Sequence, residues 1–289
     1  MGRPDSKARA ARPPRRTGTS ADGIEYSVLG SGPRTLLNLP GGPGSELPSG
    51  LLARFTEARF LPFVRAGYAV WTVTRPRGMP PGHTVADMAS DCARFVEEHV
   101  GAPVDLLLGE SYGGMIALHV AADHPQTARR VVLVVSAAVV TPEGTDVDVR
   151  WARARAEGRH AEAGAVFLEY FLPGQRAAGV RRLLGPAAGR LFAGSRVPAG
   201  DLLVEADAEA AFDARPALAR IPVPVLMLCG DRDRFFARSA VQATCDAIPD
   251  CSLVWYHGRG HLRAASSRRV PQDVLDWVAR LDASSPAAG

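Results

Sequence analysis

Apolar residues along the chain come as short continuous runs separated by longer stretches of helical spacing. Runs that predict strands lie at 23–29, 35–39, 68–73, 104–108, 130–136, 223–229 and 252–256. The first alternates, and most of the rest are nearly unbroken, as in strands buried on both faces. Spacings of three and four predict helices over 51–64 (Leu52, Phe55, Ala58, Leu61), over 85–99 with Val85, Met88, Cys92 and Val96 inward, from Gly114 to His124-Pro125, over 237–247 and over 270–281. Strands alternating with helices predict an α/β protein whose mostly parallel sheet carries helices on both faces. The alternation stops over 139–222, where helical stretches at 149–156, 161–171, 180–184 and 202–212 follow one another with no strand run. That is too long for a loop inside a compact domain, and it predicts a helical cap inserted between two strands. The expected plan is a basic, unstructured tail at 1–19, a core at 20–138 and 223–282, the cap at 139–222 and a flexible end at 283–289.

The chemistry concentrates at one junction of strand and helix. The run Val104 to Leu108 stops at Gly109, and a helical pattern begins after Gly114. Between them stands Gly109-Glu110-Ser111-Tyr112-Gly113, a G-x-S-x-G element. A tight strand–turn–helix would hold Ser111 in a strained conformation with its oxygen exposed, while the glycines leave room for backbone contacts. The helix that follows would aim its amides at developing negative charge. A serine at neutral pH is a poor nucleophile unless an imidazole takes its proton and a carboxylate orients that imidazole. Two later strand ends carry such groups: Gly230-Asp231-Arg232-Asp233 and His257-Gly258-Arg259-Gly260-His261.

Composition narrows the classes. The 289 residues are 46% hydrophobic and 22% charged, ordinary for a globular chain with one large core. No apolar run approaches the ~20 residues needed to cross a bilayer, and no hydrophobic segment follows the charged start as in a secretory signal. A net charge of +4 is compatible with a nucleic-acid partner, but the first 16 residues hold six basic side chains against one acid. The remainder sums to −1, so there is no basic recognition face. Cys92, Cys229, Cys245 and Cys251 show neither C-x-x-C nor metal-ligand spacing with histidine. The expectation is free thiols in a reducing cytoplasm, no metal, no organic cofactor, no nucleic-acid or membrane partner, and a small-molecule substrate; the oligomeric state stays open.

With strand ends supplying serine, carboxylate and histidine in that order, the chain over about 20–282 resembles the α/β-hydrolase superfamily in its capped, serine-nucleophile branch. The resemblance implies Ser111 as nucleophile, Asp233 as acid and His261 as base. The G-x-x-D segment carries its acid at the last position, Asp233, with Asp231 the competitor two residues earlier. Gly258–His261 matches the G-x-G-H element and sets His261 above His257. It also implies an oxyanion site made by the amides of Tyr112 and, from Pro40-Gly41-Gly42-Pro43-Gly44, of Gly42 rather than Gly41. That loop resembles the H-G-G-P-G loop of proline iminopeptidase-like hydrolases. The departure is Pro40, where those hydrolases usually have a histidine that supports the loop by hydrogen bonding.

Three functions follow. The preferred one is hydrolysis of a small apolar carboxylic ester through an acyl-enzyme. The second is an aminopeptidase of the iminopeptidase kind, in which Glu205 and Glu209, at i and i+4, would hold the substrate ammonium; a solvated helix face explains that spacing more simply. The third is a non-hydrolytic receptor or tailoring protein. His83, His99, His119, His124 and His160 read as loop, surface or core residues. Glu110 and Tyr112, with cap aromatics such as Trp151 and Tyr170, are candidates for shaping the pocket.

Overall fold

The computed structural model describes residues 13–44, 46–190 and 194–284, excepting the side chains of Leu51 and Leu52. Eight strands form one sheet: β1 (Arg15–Thr19), β2 (Glu25–Leu29), β3 (Arg34–Leu39), β4 (Tyr68–Val73), β5 (Leu106–Glu110), β6 (Val131–Val134), β7 (Val225–Gly230) and β8 (Cys251–Tyr256). Their order is β1-β2-β4-β3-β5-β6-β7-β8. β1 and β2 pair antiparallel, as do β2 and β4, and every later pairing is parallel. The helices are α1 (Gly50–Ala58), α2 (Leu61–Arg65), α3 (Val85–Phe95), α4 (Tyr112–Asp123), α5 (Pro142–Ala156), α6 (His160–Phe167), α7 (Ala178–Gly189), α8 (Ala199–Ala210), α9 (Arg238–Ala247), α10 (His261–Ala265) and α11 (Val270–Ser284).

The near-continuous apolar runs exist because both faces of the sheet are covered. Leu37, Leu107, Leu133 and Met227 pack with Met115, Ile116 and Leu118 of α4 on one face. Leu36, Leu106, Leu108, Val132 and Leu226 pack with Val274, Trp277 and Val278 of α11 on the other. Adjacent residues of one strand thus serve opposite cores, as period-two geometry requires. All four inward positions expected for α3 are buried, and a Thr84–Asp87 capping box starts that helix.

Three expectations need correction. Arg15–Thr19 is not tail: it adds an edge strand to β2, where ladder bonds need no apolar side chains, so the hydrophobic pattern was silent. The tail's residues 1–12 lie outside the described residues. The helix expected over 51–64 is two helices, with Pro62 in the first turn of the second. Its expected stripe also fails, because Phe55 is 75% exposed while Ala53 and Phe60 are buried. Between β6 and β7 the described residues form α5, α6, α7 and α8 with no strand. Among the described residues no helix is long and apolar enough to cross a membrane.

Candidate active site

The tight turn after β5 places Ser111 at φ 51° and ψ −114°, in the left-handed region that costs a non-glycine residue about 1–3 kcal/mol. Neighbouring backbone holds it there. The Ser111 amide donates to the Val134 carbonyl at 2.9 Å, and its own carbonyl accepts from Gly114 at 2.8 Å. Gly113 is obligatory, since a Cβ there would lie 2.0 Å from the Leu39 carbonyl oxygen of β3. The turn therefore fits only if helix and strand touch backbone to backbone. Ser111 itself is partly exposed.

His261, the first residue of α10, brings Nε2 to 3.0 Å from Ser111 Oγ. Its Nδ1 lies 2.8 Å from Asp233 Oδ2. Asp233 Oδ1 accepts from the amides of Phe235 (2.9 Å) and Phe236 (3.3 Å), which orient the carboxylate. The side chains of His261 and Asp233 are 8% and 1% exposed. Phe235 lies against the imidazole, with ring centroids 4.8 Å apart. The competing pair is elsewhere. Asp231 binds His257 Nδ1 at 3.0 Å and the Gly258 amide at 2.7 Å, and the His257 side chain is 76% exposed. The His257 hydrogen bond, helped by the Gly258 amide, holds Asp231 below its ordinary 3.8.

The loop after β3 also approaches the serine. A Cβ on Gly41 would sit 3.0 Å from Ser111 Cβ and 2.9 Å from the Glu110 carbonyl, so a side chain there would push the loop away. Gly42 is a glycine for another reason: its φ is +74°. Tyr112 is the first residue of α4, where an amide has no intrahelical acceptor.

Of the two residues flanking Ser111, Glu110 lines a pocket with Pro40, Gly41 and Arg59, whereas Tyr112 is buried. Glu110 pairs with Arg59 at 3.2 Å, and Arg59 donates to the Ala265 carbonyl at 2.9 Å, tying the turn to the end of α10. The Tyr112 ring is buried, and its hydroxyl donates to the Glu205 carbonyl at 2.9 Å.

Sequence reasoning named Glu205 and Glu209 of helix α8 but favoured a solvated face for them, and it missed Asp201 and Arg75. Asp201, Glu205 and Glu209 recur every four residues and are all buried, at 1%, 0% and 4% exposure, so the solvated-face explanation of Glu205 and Glu209 is wrong. Asp201 accepts from the amides of Gly78 (3.0 Å) and Met79 (2.9 Å). Glu205 pairs with the buried Arg75 at 2.9 Å. Glu209 hydrogen-bonds Asp148 of α5, which also accepts from the Tyr170 hydroxyl. Burial, reinforced by Asp148, pushes Glu209 well above its ordinary 4.5, and burial likewise raises Asp148. The Tyr170 ring stacks on Phe235 at 5.0 Å, linking this acid pair to His261. The regular i, i+4, i+8 spacing of Asp201, Glu205 and Glu209 was the available signal.

The remaining histidines fall where the sequence put them. His83 binds Asp91 at 2.8 Å, His119 binds Asp123 at 2.9 Å, His124 binds Ser90 at 3.0 Å, His99 packs on Phe95, and His160 is exposed. The four cysteines are free thiols.

Comparison with known proteins agrees with the fold. The sequence profile described as the alpha/beta hydrolase family matches residues 39–277, and the chain belongs to that family. Among curated proteins, it is 29% identical over 244 residues to a pimeloyl-[acyl-carrier protein] methyl ester esterase of Chromobacterium violaceum, covering 81% of this chain and 89% of that one. Among solved structures, it resembles a hydrolase from Pseudomonas aeruginosa PA01 with a TM-score of 0.68 and 22% identity, covering 91% of this chain and 98% of that one. It also resembles the enol-lactonase from Burkholderia xenovorans LB400, with a TM-score of 0.66 and 20% identity, covering 91% of this chain and all of that one (100%). At those identities the structural likeness speaks for the fold.

Proposed function

We propose that the protein is a serine hydrolase that cleaves a small-molecule carboxylic ester through an acyl-enzyme. The observation that carries this reading is the continuous hydrogen-bonded line from Ser111 through His261 to Asp233, at 3.0 and 2.8 Å. Ser111 Oγ attacks the ester carbonyl as His261 Nε2 takes its proton. Asp233 holds the imidazole in the tautomer with Nδ1 protonated and stabilises the imidazolium that forms. The carbonyl oxygen becomes an oxyanion, received by the amides of Tyr112 and Gly42; one such donor is worth roughly 2.7–4 kcal/mol in the transition state. His261 then protonates the leaving alcohol. Water, activated by the same imidazole, releases the acid and restores Ser111.

Intact-mass labelling with a fluorophosphonate tests this. A single adduct is expected on the wild type, absent in Ser111→Ala and greatly slowed by Asp233→Asn and His261→Ala but not by Asp231→Asn. A folded wild type that takes no adduct would overturn the reading and move the receptor function to the front.

The buried acids beside the site favour one second reading, an aminopeptidase whose substrate ammonium meets Asp148 and Glu209. Two facts rank it below the esterase. Arg75 already neutralises Glu205. Burial holds Glu209 toward its neutral form, which attracts an ammonium weakly. Faster turnover of a prolyl arylamide than of a short acyl ester would reverse the order.

A further inference from the structure

The loop after β3 lacks the histidine that supports it in the hydrolases it resembles; Pro40 stands there and has no side-chain donor. The structure holds the loop from another direction. The Arg75 guanidinium, just beyond β4, donates from Nη1 to the Pro40 carbonyl at 3.2 Å and from Nη2 to the Gly42 carbonyl. The same Nη2 reaches Glu205 Oε2 at 2.9 Å, and that oxygen also accepts from the Gly44 amide. The guanidinium carbon lies 4.6 Å from the centroid of the Tyr112 ring, whose hydroxyl is bonded to the Glu205 backbone.

We propose that Arg75 and Glu205 are positioning residues for the oxyanion site, and that they make helix α8 a working part of it. The geometry of the peptide planes carries the argument. Fixing the Pro40 carbonyl orients the peptide before Gly41, and fixing the Gly42 carbonyl orients the peptide after Gly42. The plane between those two bears the Gly42 amide, and its direction is then set from both sides. Glu205 fixes the next free amide, at Gly44. Through the Tyr112 ring and hydroxyl, the same ion pair also braces the residue that carries the other oxyanion donor. A lysine at 75 would keep the charge but could not span two carbonyls and a carboxylate as a planar fork does.

This inference rests on the hydrolase reading, so the experiment separates the two. Wild type, Arg75→Lys, Glu205→Gln and the double variant Arg75→Met/Glu205→Met are titrated with a fluorophosphonate. Their kcat and KM on a short acyl ester are then measured per labelled site, together with the affinity for a boronic acid that forms a tetrahedral adduct. Asp91→Asn is the control: it breaks the pairs of Asp91 with His83 and Arg94 without touching α8 or the oxyanion loop.

Losing an oxyanion donor outright costs about 10²–10³ in kcat. Misdirecting one in Arg75→Lys or Glu205→Gln is expected to cost at least about tenfold in kcat, with KM within about twofold and boronate affinity falling in parallel. Asp91→Asn is expected to melt earlier with kcat per site unchanged. If the single variants fail to fold, the double variant carries the test, because a buried ion pair replaced by apolar residues is commonly tolerated; it too is expected to lose kcat. Arg75 and Glu205 variants that keep wild-type kcat per labelled site, or an Asp91→Asn that loses kcat equally, would overturn the positioning role alone. A folded wild type that neither labels nor hydrolyses would overturn the hydrolase reading and this role together.

Discussion

Two Asp–His pairs lie at the ends of β7 and β8, two residues apart on one segment and four apart on the other. Asp231–His257 and Asp233–His261 use the same atoms, Oδ2 and Nδ1, at 3.0 and 2.8 Å. What differs is everything around them. The Asp233 side chain is 1% exposed, caps two amides, and faces an imidazole packed on Phe235. The His257 ring is 76% exposed, and among the described residues its hydrogen-bond partner is Asp231 and not a serine. A hydrogen bond between these residue types is therefore cheap to form and uninformative alone. Burial and a third partner set apart the pair proposed for catalysis from the one left at the surface.

The sharpest break of that symmetry is catalytic. Asp233→Asn is expected to lower kcat for ester hydrolysis by up to about 10⁴, through the wrong imidazole tautomer. Asp231→Asn and His257→Ala should stay within about twofold, as surface changes do. A comparable loss in Asp231→Asn would show that the acid is misassigned.

A smaller effect comes from buried acids that titrate the other way. Glu209 is raised in the folded chain by burial and by Asp148. A raised acid contributes stability fully below its ordinary 4.5, and that contribution is lost as pH rises through the folded value. Each unit of separation is worth about 1.4 kcal/mol. Glu209→Gln cannot ionise, so its melting temperature should gain on the wild type as pH rises above 4.5. Parallel melting curves across that range would contradict the raised Glu209.

The smallest effect has the opposite sign. Asp231 is depressed by its His257 hydrogen bond, so its contribution is present above 3.8 and disappears on acidification. Asp231→Asn should melt slightly below the wild type at neutral pH and merge with it in acid. A gap that widens in acid would refute this assignment.

How much was legible follows from the range of each interaction. Ser111 could be found from the chain because the turn's demands are met within a few residues: an apolar strand, glycines that allow backbone contact, and a helix start. Arg75 could not, because the Pro40 and Gly42 carbonyls it serves belong to another loop, and Glu205, its counter-ion, lies 130 residues further on. The edge strand Arg15–Thr19 escaped for a related reason, since its partner β2 supplies ladder bonds that ask nothing of its side chains.

By itself, then, the sequence determined the α/β alternation, the serine turn and the chain order serine, carboxylate, histidine, because apolar periodicity and glycine stereochemistry act locally. It narrowed the acid to Asp231 or Asp233, and the histidine to His257 or His261. Only the tertiary structure decided which aspartate meets which histidine, and that the acids of α8 face inward. It also supplied an arginine where a histidine was missing. These outcomes depend on which backbone groups remain unsatisfied once the sheet and helices have packed, and no local pattern records that.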